Sequence, residues 1–253
     1  MTQQDQQDRR TPTGTDLDVL SRQLGRPVRD VVEIGARCVC GNPLVAVTAP
    51  RLSNGIPFPT TYYLSHPVIT AAVSRLEADG VMAEMTLRLS GDDALMARHA
   101  EAHTAYLTAR EAVGERAGTG PVPEIAGVSA GGMPSCVKCL HVLVGHALAA
   151  GPGVNVLGDE AIDRISPWWS RERCFCDGAW DTSGRVPDAD LSRHTRTQGL
   201  SAADLDAKRA ARRAGADLAA SVGPTATTPA PETEDTALDR ATATATTTAT
   251  EDT

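Results

Sequence analysis

Lysine is almost missing from this chain. Of its 24 basic residues only Lys138 and Lys208 are lysines, and 32 acidic residues leave a net charge of −8. General nucleic-acid binding needs a basic face to replace phosphate counterions, so the overall balance argues against it. Also missing is an apolar run near the roughly 20 residues that cross a bilayer. The longest mostly apolar stretch, 139–150, holds two histidines. The N-terminus is polar and lacks the apolar region of a secretory signal. The chain therefore reads as cytosolic, and its six cysteines are expected as reduced thiols or metal ligands rather than disulfides. Neither GxxxxGK[ST] nor GxGxxG occurs, so nothing points to a nucleotide. No Ser/His/Asp or paired-carboxylate arrangement can be assembled from spacing, and no internal repeat is evident.

What is present is unevenly distributed. Residues 1–14 offer almost nothing to bury, and 177–253 turn to Thr, Ala, Pro, Asp and Glu. Chains of that kind cannot offset the entropy of ordering. Both ends are expected to be disordered, the acidic tail carrying at most a marginal helix over 201–221. The remaining 15–176 suffice for a single globular domain with its own core. It holds 14 Lys/Arg against 17 Asp/Glu, and the tail 8 against 13.

Within that domain the patterns predict an α+β fold: a small antiparallel sheet of about three strands, packed with about five helices. Apolar residues at 17, 20 and 24, followed by Gly25 and Pro27, predict a helix over 16–24. The β-branched runs 31–37 and 44–48 flank a Cys-Gly-Asn-Pro turn and predict a hairpin. Residues 58–64 form a third strand, kept to an edge at its start by Pro57 and Pro59. Helices are expected over 67–79, 81–89, 92–113, 134–150 and 157–165, with a Gly/Pro-rich loop at 114–128.

The chemistry-bearing residues concentrate at 129–155. The cysteines form three close pairs, Cys38 with Cys40, Cys136 with Cys139, and Cys174 with Cys176. On a helix, residues three apart share a face, so Cys136 and Cys139 could join the hairpin pair in a tetrahedral thiolate site for structural zinc. On that helix His146 lies about 10 Å beyond Cys139 and His141 points nearly opposite, so neither completes the site. His99 and His103 have metal spacing, but the intervening Glu101 is turned away, unlike HExxH. Gly131 and Gly132 place permissive backbone at the expected helix start, with Lys138 one turn in and Arg51 as a second contact. These four form a possible anion nest for a phosphorylated ligand.

The runs TAPRLSNGIPFPTTYYLSHP (48–67), SRLEADGVM (74–82) and SAGGMPSCVKCLHVLVGHALAAGPGVNVLGDEAI (129–162) resemble domain-of-unknown-function family 501, a family of small, mainly actinobacterial proteins. The resemblance covers about 17–175. It implies a one-domain bacterial protein with no established activity, whose genes often neighbour those for a septum-formation initiator and an exopolyphosphatase. It also implies cysteines at Cys38 and Cys139 and arginine where this chain has Cys136. That shifts the expected ligand set to Cys38, His66, Cys139 and Cys174, around zinc or, less readily, an iron–sulfur cluster. A closed set would be structural; an open one could support metal-assisted hydrolysis. Two other functional classes stay open: a non-enzymatic interaction module linked to cell division, and an enzyme or sensor for a phosphorylated ligand at Gly131 and Gly132.

Overall fold

In the computed structural model, residues 10–177 and 179 are described. Of the segments expected to be disordered, 1–14 and 177–253, residues 1–9, 178 and 180–253, with the marginal helix 201–221, lie outside them. Helix α1 (Gly14–Leu24) starts from a capping box in which Thr13 and Asp16 satisfy each other's backbone N–H groups. It ends at Gly25, whose left-handed φ of 64° suits glycine.

The hairpin forms as expected. Strands β1 (Val31–Arg37) and β2 (Pro43–Thr48) pair antiparallel, and β3 (Tyr62–Leu64) pairs antiparallel with β2 on its other side. β3 is shorter than the predicted 58–64. Pro57 and Pro59 lack ladder donors, so only the segment beyond them pairs. Central β2 is buried along its whole length. Side chains alternate across a strand: Ala46 meets Leu20 of α1 and Ile34 on one face, while Val45 and Val47 enter the main core on the other.

That main core is built around α5 (Leu140–Ala150), buried on nearly every side. A helix apolar all round belongs in a core. It crosses β3 at Gly145, where a Cβ would stand 2.9 Å from the Tyr62 carbonyl oxygen. The neighbouring helix α6 (Val156–Arg164) packs on α5 through Gly158, whose absent Cβ leaves room for the Leu143 carbonyl and, at 2.8 Å, the Ala147 methyl. Helices α2 (Pro67–Ala78), α3 (Val81–Gly91) and α4 (Asp93–Arg116) complete the α+β domain. Six helices are thus delimited among the described residues. None is long and apolar enough to cross a membrane.

One element departs from expectation in a way that matters for the site. The helix predicted over 134–150 begins only at Leu140, and residues 131–139 run as turns and extended chain. Apolar content alone does not make a helix. Met133 and Val137 are buried as irregular chain instead. Polar groups of α4 support this segment: His99 Nε2 lies 3.3 Å from the Cys136 carbonyl, and His103 Nδ1 is 2.9 Å from the Ser129 hydroxyl. The buried Arg110 guanidinium donates to the Ile125 and Val128 carbonyls.

Candidate metal centre

The hairpin tip and the end of the domain meet. Gly41 N–H donates to the Cys38 carbonyl and Cys38 N–H to the Asn42 carbonyl, both at 2.8 Å, so the chain folds tightly around Cys38 and Cys40. Gly41, at φ 94°, supplies the left-handed residue that this turn requires. Opposite it, Cys174 and Cys176 lie on irregular chain after α6, and the Cys176 N–H points at the Cys174 sulfur at 3.5 Å. The four Sγ atoms of Cys38, Cys40, Cys174 and Cys176 all lie within 4.8 Å of one another, with 3.4 Å between Cys40 and Cys176. A tetrahedron with metal–sulfur arms of about 2.3 Å has edges of about 3.8 Å, so four sulfurs this close can share one ion. All four are free thiols, and 3.4 Å far exceeds the roughly 2.05 Å of a disulfide.

The group is closed on the protein side. Cys38 and Cys176 are buried, while Cys40 and Cys174 are exposed at the rim. His66 is fully buried at the N-cap of α2 and makes no side-chain cap bond. Its Nε2 stands 3.4 Å from the Cys176 sulfur, where an imidazole N–H can donate to a thiolate. Burial pulls the His66 pKa down to about 4, which keeps the ring neutral. Burial also raises the Cys40 and Cys176 thiols, whereas the Cys176 N–H lowers Cys174.

A second group lies at the other end of α2. Cys139 is the N-cap of α5, extended at φ −158° and ψ 113°, with no side-chain cap bond. Glu77, in the last turn of α2, takes over the cap: its Oε1 accepts the Leu140 N–H at 2.7 Å. The same Oε1 is 3.1 Å from His141 Nδ1, which is 4.0 Å from the Cys139 sulfur. His141 Nε2 faces the Thr70 carbonyl at 3.2 Å and the Ser74 hydroxyl at 3.3 Å. The Cys139 sulfur, then Glu77, raise His141 to about 9, so the ring holds its proton at neutral pH. Ligand atoms of Glu77, Cys139 and His141 again lie within 4.8 Å of one another. Here the residues are half-buried, and Cys139 and His141 line a cleft of about 630 Å3.

The expected ligand set is thus divided. Cys38 and Cys174 come together, His66 lies against their neighbour Cys176, and Cys139 stands with Glu77 and His141. The prediction that His141 points away from Cys139 assumed both residues on one helix. With Cys139 extended and the helix starting one residue later, the two side chains converge. For the same reason Cys136 and Cys139 share no helical face, and the Cys136 sulfur turns back to the Gly132 carbonyl at 3.5 Å. The expected set omitted Cys40 and Cys176. Their signal was two Cys-x-Cys pairs of identical spacing, neither in a helix. Glu77 carried no signal of its own.

The anion-nest residues are engaged otherwise. Gly131 and Gly132 sit nine and eight residues before α5 in a turn that closes on itself: Lys138 N–H donates to the Gly131 carbonyl at 2.7 Å and Cys136 N–H to that of Gly132 at 3.1 Å. A Cβ on Gly132 would meet the Cys136 oxygen at 2.7 Å, so this approach requires glycine. Lys138 is exposed, and Arg51 donates to both Glu124 carboxylate oxygens and to the Gly55 carbonyl.

Fold and geometry together define a small α+β domain in which the β1–β2 turn and the segment after α6 bring four thiols into a group that could hold a metal ion. Residues 34–163, just over half of the chain, match the family described as protein of unknown function (DUF501), and the chain belongs to that family. No curated protein and no solved structure matches it. The matched segment contains Cys38, Cys40, His66, Glu77, Cys139 and His141 and ends before Cys174 and Cys176.

Proposed function

We propose that this chain is a zinc-binding domain in which Cys38, Cys40, Cys174 and Cys176 hold a structural zinc ion. One observation carries the reading: four thiols from opposite ends of the domain approach within 4.8 Å. A reduced fold has little other reason to crowd four sulfurs, and soft thiolates select zinc or iron over hard cations. So tight a group surrounds a single ion, whereas an iron–sulfur cluster would spread its cysteines around several irons. With all four positions taken by protein the ion has no open site, which suits support rather than catalysis. His66 would orient Cys176 from outside the ligand shell.

Elemental analysis of untagged protein purified under reducing, anaerobic conditions tests the reading. Bound zinc is expected, and Cys176→Ser should lower the content by one equivalent per chain. Metal-free wild type that neither takes up zinc nor is stabilised by it would overturn the proposal.

A further inference from the structure

We propose that Glu77, Cys139 and His141 form a second divalent-metal site, with an open coordination position that takes an uncharged oxygen donor from the cleft. The argument begins at the imidazole. A carbonyl oxygen can only accept, so the Thr70 carbonyl at 3.2 Å fixes a proton on His141 Nε2. Nδ1 then faces a carboxylate oxygen at 3.1 Å and a sulfur at 4.0 Å, both electron-rich. The place between these three atoms takes something positive: the Nδ1 proton in the metal-free protein, or a metal ion that displaces it. A ligating histidine characteristically donates its other N–H to a backbone carbonyl or carboxylate, and this ring already does so. Glu77 is also held, through the Leu140 N–H at 2.7 Å on Oε1.

The donor set is one nitrogen, one sulfur and one oxygen, a mixture that suits zinc better than magnesium or calcium. Three protein ligands with the fourth position left to water or substrate is the pattern of catalytic rather than structural zinc. Solvent access agrees, because Cys139 and His141 line the cleft of about 630 Å3. Thr70 and Ser74, whose carbonyl and hydroxyl oxygens face His141 Nε2, line it together with Ser65 and Tyr63, and no arginine, lysine or carboxylate is found in its described lining. A phosphorylated molecule would find no counter-charge there except the ion itself. A neutral carbonyl or hydroxyl compound fits both the ion and the hydroxyl-lined wall, and the metal would act on it as a Lewis acid.

This site does not rest on the four-cysteine centre, and the test separates the two. The full-length protein is loaded with zinc under reducing conditions, desalted and assayed for metal. Two equivalents are expected for wild type, and one for each of Cys139→Ser, Glu77→Gln and Cys176→Ser. Glu77→Gln retains an oxygen acceptor for the Leu140 N–H, so its loss of metal cannot be ascribed to a lost helix cap. With cobalt(II) replacing zinc, azide should change the visible spectrum of wild type and of Cys176→Ser, but leave that of Glu77→Gln unchanged. Wild-type metal content unaltered in both Cys139→Ser and Glu77→Gln would overturn the proposal. So would a second bound cobalt whose spectrum ignores azide, because the site would then be closed.

Discussion

The two donor groups sit at opposite ends of helix α2, about 16 Å of helix rise apart from His66 to Glu77, and they differ in their donors and in the pattern of their burial. At the first end, four sulfurs from distant parts of the chain close on one another behind a fully buried histidine. At the second, three different donors from α2 and the start of α5 are half-buried beside a cleft. The same residue type, cysteine, serves both. Its company differs: thiols alone at one end, and an imidazole and a carboxylate at the other.

The contrast is broken most severely by removing the proposed zinc from the four-cysteine centre. A strong chelator should lower the unfolding free energy by about 4 kcal/mol, the linkage expected when ligand exceeds its Kd a thousandfold. A melting curve with and without chelator reads this, and Cys176→Ser should reproduce it.

Acid is expected to act next, through a buried histidine of the core. His146 is buried, stacks on Tyr62 at 5.2 Å, and accepts from Asn155 Nδ2 at 3.2 Å. Burial lowers its pKa from 6.5 to about 4. The unfolded chain therefore binds this proton first. The neutral ring's contribution is intact above pH 6.5 and is lost as pH falls toward 4, at up to about 1.4 kcal/mol per unit. Thiolate centres also lose metal in acid, so the readout is a difference: the stability gap between wild type and His146→Phe should narrow from pH 6.5 to pH 4. A gap constant with pH would refute this account.

A purely mechanical lesion provides the control. Gly158→Ala drives a methyl into the α5–α6 contact and should cost about 1–3 kcal/mol, with metal content unchanged. Asp16→Asn should cost about 1–2 kcal/mol. It weakens the capping box and the pairing with Arg37, which holds the Asp16 carboxyl at about pH 2. That contribution is present above pH 3.8 and lost as pH falls toward 2. The smallest effect sharpens the comparison most. Cys139 is an N-cap without a cap bond, and serine is a favoured cap, so in chelator-treated protein, where no metal is lost, Cys139→Ser should change stability by less than about 1 kcal/mol, in the stabilising direction.

Local chemistry explains what was legible beforehand. β-Branched runs around a Gly-Asn-Pro turn identify the hairpin, and Pro67 and Gly80 bracket α2 to within a residue. What failed was inference from apolarity: Met133 and Val137 are buried, and buried residues need not be helical. That one misplaced helix start removed His141 from consideration beside Cys139. The pairing of Cys40 with Cys176 lay out of reach for another reason. Nothing in the local pattern of either segment encodes that a hairpin tip and the chain after α6 arrive at the same place. Glu77 resembles any solvated carboxylate in a last helical turn until the Leu140 amide stands above it.

The meeting of Cys40 with Cys176 joins residues 136 apart in sequence. Treated as a polymer, a bond there closes almost the entire domain into a ring. For a permanent cross-link over a loop that long, the lost freedom of the unfolded chain corresponds to roughly 4–5 kcal/mol. A metal joint would make the ring reversible. The hairpin tip and the segment after α6 would be tethered when metal is plentiful and free to part when it is withdrawn, so the far end of the domain would open before its core melts.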